Sequence, residues 1–147
     1  MQIDLADLTK VMESAALAAG RAIMAIHSGG PTVQYKPDSS PVTEADEEAE
    51  RLILTALRQH FPAIPIVAEE AVAAGDIPDI SGGVFFLVDP LDGTKEFVAG
   101  RNEFTVNIAL IRDGSPVAGI VLAPALSIGF LAAVDHAERF SITDGHM

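Results

Sequence analysis

From Asp4 to Ser28 the apolar residues Leu5, Leu8, Val11, Met12, Ala15, Ala19, Ala22, Ile23 and Ile26 recur at threes and fours, until Gly29, Gly30 and Pro31 end the pattern. That period predicts one long amphipathic helix. Its many alanines imply close approach to whatever it packs on, and His27 near its end is expected to complement the helix dipole rather than to act as a ligand. Thr32 to Tyr35 reads as a short strand. A polar stretch twice broken by proline, Lys36 to Asp46, then leads into a second helical pattern carried by Ala45, Ala49, Leu52, Ile53, Ala56 and Leu57. Thr43 and Asp46 have the spacing of a capping box, in which an N-cap hydroxyl and an acid three residues on satisfy each other's free N–H groups. The acidic run Glu44, Asp46, Glu47, Glu48 and Glu50 reads equally as a solvated first turn complementing the dipole.

Beyond Phe61 the period changes. Ile64-Pro-Ile-Val67 is short, apolar and followed at once by Ala68-Glu69-Glu70, while Phe85-Phe-Leu-Val88 runs into Asp89-Pro-Leu-Asp92-Gly-Thr94. Both read as buried strands that end in carboxylates. Between them, Ala71 to Gly83 has no period and reads as a mobile surface loop beside the site. Phe104 to Ile111, Val117 to Leu122 and Ser127 to Val134 are apolar runs separated by turn chemistry, including Asp113-Gly114, a strong hairpin signal. Two helices followed by hairpin strands predict an α+β fold, with both long helices packed on one face of a mostly antiparallel sheet. Near-continuous apolar sequence at Ile120 to Leu122 and Phe130 to Val134 fits a covered face.

At 147 residues the chain has one domain's worth of length, and 49% apolar composition argues against disorder. Nine basic against 21 acidic residues give a formal charge of -12, which disfavours a grip on nucleic acid polymers or anionic membranes. A small anionic substrate would then need local cations. With no cysteine there are neither disulfides nor thiolate metal sites. No apolar run reaches the roughly 18 residues of a transmembrane span, and Asp4 and Asp7 sit where a signal peptide would be basic and then apolar. A soluble, cytoplasmic protein is the expectation.

Burying Asp89 and Asp92 near one another is costly unless a cation or donor compensates. Oxygen ligands suit hard ions, Mg²⁺ above all. Glu69, Glu70, Asp89 and Asp92, with Thr94 beside them and Asp46 at a helix start, are enough oxygen donors for a two- or three-ion site. Two such ions can clamp a phosphate, one making a water more acidic and the other stabilising the leaving oxygen. The plainer reading is that these acids are turn and cap residues. Their place directly after a buried strand, where Pro90 fixes the turn and Gly93 lets backbone approach a ligand, favours the metal.

Asp89-Pro-Leu-Asp-Gly-Thr94 resembles the signature of the lithium-sensitive, magnesium-dependent phosphatases of the inositol monophosphatase superfamily. Val67-Ala-Glu-Glu70 resembles its preceding acidic motif, and Ser40-Pro-Val-Thr43 followed by Ala45-Asp46 its first active-site loop. Lys95-Glu96-Phe97 and Glu103 to Leu110 are most similar to the CysQ branch, the 3'(2'),5'-bisphosphate nucleotidases. The resemblance implies the αβαβα sugar-phosphatase fold and removal of the 3'-phosphate of adenosine 3',5'-bisphosphate to give AMP by metal-activated water. It implies that Glu69, Asp89, the Leu91 carbonyl and Thr94 hold a catalytic Mg²⁺, and that Asp89 bridges to a second ion also held by Asp92. Asp46 and Thr94 would position the attacking water, with Asp46 touching a third, weaker ion. Lys36 would contact metal-bound water, and Gly93 and Thr94 would offer backbone N–H groups to the phosphate.

One departure matters more than the rest. The family's C-terminal half contributes a Trp-Asp signature whose Asp holds the second metal, and this chain has no Trp. Residues 1–147 are therefore expected to be a single N-terminal metal-binding domain with the C-terminal domain absent, and Ile142 to Met147 to be a truncation. Such a chain is expected to hold one metal tolerably and the second poorly, to turn over slowly or not at all, and to self-associate through an exposed edge or face. The alternatives are an inositol monophosphatase-type phosphatase and a non-catalytic metal-binding fragment. Haloacid-dehalogenase-like phosphotransferases use Asp-x-Asp, with one intervening residue, whereas two separate Asp89 from Asp92.

Overall fold

Asp4 caps the first helix, α1 (Leu5–Gly29), by accepting from the N–H groups of Ala6 and Asp7, the role its short acceptor side chain suits. The computed structural model describes residues 3–30, 33–36, 38, 41–133 and 136–142. Pro31, Thr32, Ser40, Val134 and residues 143–147, which carry parts of the expected helix stop, strand ends, loop motif and chain end, lie outside the described residues. The inward face of α1 is built from Leu8, Met12, Ala15, Ala16, Ala19 and Ile23. These alanines let it lie against α2 (Glu44–His60), and both helices pack on one face of the main sheet. His27 lies in the last turn of α1, as expected, with its ring against Phe97 and Phe104 at centroid distances of 5.3 and 5.5 Å.

Part of the stretch before α2 is strand. β1 (Val33–Tyr35) pairs antiparallel with β2 (Pro41–Thr43), and the strand runs directly into the α2 N-cap. Lys36, directly after β1, reaches the residues that follow β3.

That sheet has six strands in the order β3 (Ile66–Ala68), β4 (Val84–Asp92), β5 (Thr105–Arg112), β6 (Ser115–Ala123), β7 (Ile128–Ala133) and β8 (His136–Ser141). β3 and β4 are parallel and every other pair is antiparallel, so the expected α+β fold and mostly antiparallel sheet are observed. Asp113 and Gly114, both at positive φ (51° and 81°), close the β5–β6 hairpin. Their twist matches that of the flanking strands. Two short helices, α3 (Glu69–Ala73) and α4 (Thr94–Val98), begin where β3 and β4 end. α3 replaces the first residues of the expected loop, and β8 was not anticipated.

Alternation decides which face is covered. Phe86, Val88, Ile108, Leu110, Ile120, Leu122 and Leu131 point into the core beneath the helices. Leu87, Val121 and Phe130, at 47%, 42% and 52% exposure, occupy the opposite face. There a shallow apolar trough of about 680 Å³ crosses β4 to β8. The near-continuous apolar runs therefore feed two faces of the sheet, of which the described helices cover one. Among the described residues, no helix is long and apolar enough to cross a membrane.

Candidate functional site

Strand register makes the first contact of the site. Ala68 on β3 pairs with Val88 on the parallel β4, so the next residues, Glu69 and Asp89, emerge side by side at the ends of neighbouring strands. Neighbouring strands lie about 4.8 Å apart, too close for two carboxylates to ionise independently. Two carboxylates so placed relieve their repulsion by sharing one proton, and their pKa values are pushed apart in opposite directions. Burial first, then the Glu69 hydrogen bond and charge, then Asp92, push Asp89 up from 3.8 to about 8. Glu69 moves the other way: burial is the largest single influence and would raise it, but Asp89 and Lys36 together hold it below its usual range.

Past Asp89 the chain does not turn at once. Asp89 pairs with Asn107 and Asp92 with Thr105, a β-bulge that carries β4 on through Asp92. The irregularity frees the Leu91 carbonyl and delivers Gly93 to the N-cap of α4 at φ 94°. Only glycine fits there: an added Cβ would lie 2.8 Å from the Glu103 carbonyl oxygen. Gly93→Ala combines that clash with roughly 1–2 kcal/mol of left-handed strain. It is expected to lower the melting temperature by at least about 4 °C, measurable by circular dichroism.

Thr94, the first residue of α4, donates from Oγ1 to Asp46 Oδ1 at 2.9 Å, with the Leu91 carbonyl 3.2 Å away. One hydroxyl hydrogen serves one strong bond, and the carboxylate is the better acceptor. Asp46 Oδ2 closes the anticipated capping box, accepting from Thr43 N–H and Oγ1 at 2.8 and 2.9 Å. Asp46 is thus both cap and site residue. At 2% exposure it is no solvated acid, and burial raises its pKa against the pull of Thr43 and Thr94.

Lys36 binds Glu69 Oε1 at 3.0 Å and Glu70 Oε1 at 2.8 Å. Burial would lower its pKa, but the two glutamates more than reverse this. Glu70 is raised by burial, with Lys36 opposing. Every anticipated site residue except Asp46 and Glu70 lines one cleft of about 210 Å³, joined by Lys95 and Glu96. Asp46 sits behind Thr94. The larger apolar trough meets this cleft at Asp89.

The donor set suits a hard cation. Asp89 Oδ1 is buried with no hydrogen-bond partner, an arrangement that asks for a cation or a donor. Two carboxylates, a carbonyl and a hydroxyl are the oxygen donors such an ion takes. Asp92, by contrast, is exposed and 3.5 Å from Asn107 Nδ2, and Asp46 is committed to its cap. Among the described residues, no three or more acids or imidazoles converge as a metal-holding group.

One contributor escaped the sequence reading. Glu50, assigned to a solvated run, is 7% exposed and its Oε1 accepts from the Glu70 N–H at 2.8 Å. Burial raises its pKa, with the Glu70 and Ala71 N–H groups opposing. Its signal was available: it stands four residues after Asp46, on the same helix face.

The sequence and fold have relatives among known proteins. The chain matches the inositol monophosphatase family over residues 4–144. It is 48% identical over 117 residues to the 3'(2'),5'-bisphosphate nucleotidase CysQ of Salmonella typhimurium, covering 78% of this chain and 47% of the relative. Among solved structures it resembles the extragenic suppressor protein SuhB of Bartonella henselae, with TM-score 0.79, 31% identity and coverage of 92% of this chain and 52% of that one. For CysQ of Bacteroides thetaiotaomicron the values are 0.74, 33%, 92% and 49%. The chain spans about half the length of the curated relatives it matches.

Proposed function

Because the chain belongs to the inositol monophosphatase family, we propose that it carries the cation-binding and water-positioning part of a magnesium-dependent phosphomonoesterase. The substrate we infer is adenosine 3',5'-bisphosphate, cleaved at its 3'-phosphate to AMP. Likeness to the CysQ nucleotidases supports that choice. The observation that carries the reading is Asp89, placed beside Glu69 by strand register and left with a buried oxygen unpartnered, next to the Thr94–Asp46 hydrogen bond.

In this reading Glu69, Asp89, the Leu91 carbonyl and Thr94 hold the catalytic Mg²⁺, and Asp92 reaches toward a second ion. When bound, such an ion offsets carboxylate charge, polarises a phosphoryl oxygen and makes water more acidic. The chain's own residues supply alignment and a proton path. Since Thr94 spends its hydrogen on Asp46, its oxygen is left to accept from a water. As that water attacks phosphorus, its proton passes to Thr94 Oγ1 and the Thr94 hydrogen to Asp46 Oδ1, while the P–O ester bond breaks and the leaving oxygen takes a proton from a solvent water, whose hydroxide the Asp46 proton then neutralises. Burial makes Asp46 a stronger proton acceptor than an exposed aspartate. Gly93 and Thr94 N–H groups receive phosphate oxygens, and Lys36 keeps Glu69 in place.

Phosphate release from adenosine 3',5'-bisphosphate with Mg²⁺, with and without Li⁺, tests the proposal, with inositol 1-phosphate as the second substrate. Lithium-inhibited release from the bisphosphate is the expected result. Preference for inositol 1-phosphate would move the reading to an inositol monophosphatase-type enzyme, and Mg²⁺ binding without turnover to a non-catalytic module.

A further inference from the structure

We propose that Glu50 is a positioning residue: its carboxylate, reaching from α2, holds the first turn of α3 and so sets Glu69 against Asp89. The proposal rests on the cation-site reading above and assigns part of that site's rigidity to a side chain that touches no ligand.

α3 has five residues, and its N-cap is Ala68, which offers no side-chain acceptor. A single turn with free N–H groups does not hold its own shape. Glu50 supplies from another helix what the local sequence lacks, accepting from the Glu70 N–H at 2.8 Å, with the Ala71 N–H also near enough to hold its pKa down. Lys36 grips the same turn from its other side through the Glu69 and Glu70 carboxylates. Glu69 therefore sits in a turn whose backbone is fixed by one residue and whose side chains are fixed by another.

The same helix fixes the opposite wall. Asp46 and Glu50 lie one turn apart on the buried face of α2, Asp46 bound to Thr94 of α4 and Glu50 to α3. Four residues of α-helix rise about 6 Å. This rigid interval spaces the Thr94 side of the cleft from the Glu69 side, so α2 acts as a ruler across the site.

Terbium luminescence, with Mg²⁺ as competitor, tests this on the whole chain without requiring turnover. Glu50→Ala is expected to weaken Mg²⁺ affinity about tenfold, the scale of a lost supporting partner, and to speed hydrogen exchange at the Glu70 and Ala71 amides. Glu50→Gln keeps an acceptor oxygen and is expected to restore most of both. Ile53→Val, a core change on the same helix, controls for general loosening and is expected to leave affinity unchanged. Equal Mg²⁺ affinity in Glu50→Ala and the unchanged chain, or equal weakening by Ile53→Val, would overturn the proposal. If the unchanged chain binds no Mg²⁺ at all, the cation-site reading fails instead, and amide exchange in Glu50→Ala still decides whether Glu50 holds the turn.

Discussion

Replacing Asp89 with Asn is expected to weaken Mg²⁺ binding by at least about 100-fold, since the loss of even a supporting partner costs 10–100-fold. Phosphate release should vanish with it, while the metal-free protein remains folded. Asp89 is the residue on which the site's conflicts meet: it shares a proton with Glu69, feels Asp92 and keeps a buried oxygen without a partner. A cation resolves all three at once. An asparagine of the same shape removes one of the two carboxylate charges that would hold the cation. In the absence of metal, that same loss relieves repulsion, so the variant should melt no lower than the unchanged chain at pH 8 in EDTA. Such an opposition between affinity and stability is the signature of a strained functional site. Titration calorimetry with Mg²⁺, paired with melts in EDTA, reads both effects. Undiminished affinity would remove Asp89 from the centre of the site.

Long-period features were legible in the sequence because many residues report them together. α1 spans 25 residues and its apolar stripe could hardly be missed, and the capping box at Thr43 and Asp46 is a local motif with a local cause. The acids at the ends of β3 and β4 were visible for the same reason. What escaped depends on contacts between distant residues or on elements too short to have a period. α3 is little more than one turn, and the bulge between Asp89 and Asp92 is defined by its partners on β5. β8 has five exposed positions of six, so it shows none of the alternation that marks a half-buried strand. Glu50 looked solvated because its partners lie 20 residues on, at Glu70. The two phenylalanines that pack on the His27 ring come from another part of the chain and left no local signal.

Without metal, the protein is expected to lose stability as pH rises from about 5 to about 8, a consequence of linkage between protonation and folding. Asp89 in the fold titrates at about 8 rather than near its ordinary 3.8. Between those values the folded state holds a proton that the unfolded chain has released, so each step up in pH favours unfolding. Asp46, Glu50 and Glu70 are raised as well, all chiefly by burial, and act in the same direction. Glu69 is lowered; the stability it contributes is complete above its unfolded pKa, near 4.3, and it is flat across this window. Lys36, raised by its glutamates, remains charged throughout and contributes its full share. Mg²⁺ should remove most of the decline, because a cation takes the place of the proton and binds better as the acids ionise. Melts in EDTA at pH 5, 6.5 and 8, repeated with Mg²⁺, give the comparison, and Asp89→Asn should flatten the metal-free curve. A metal-free stability that holds level or climbs over this range would mean that Glu69 and Asp89 do not share a proton, and the electrostatic argument for a cation between β3 and β4 would lose its foundation.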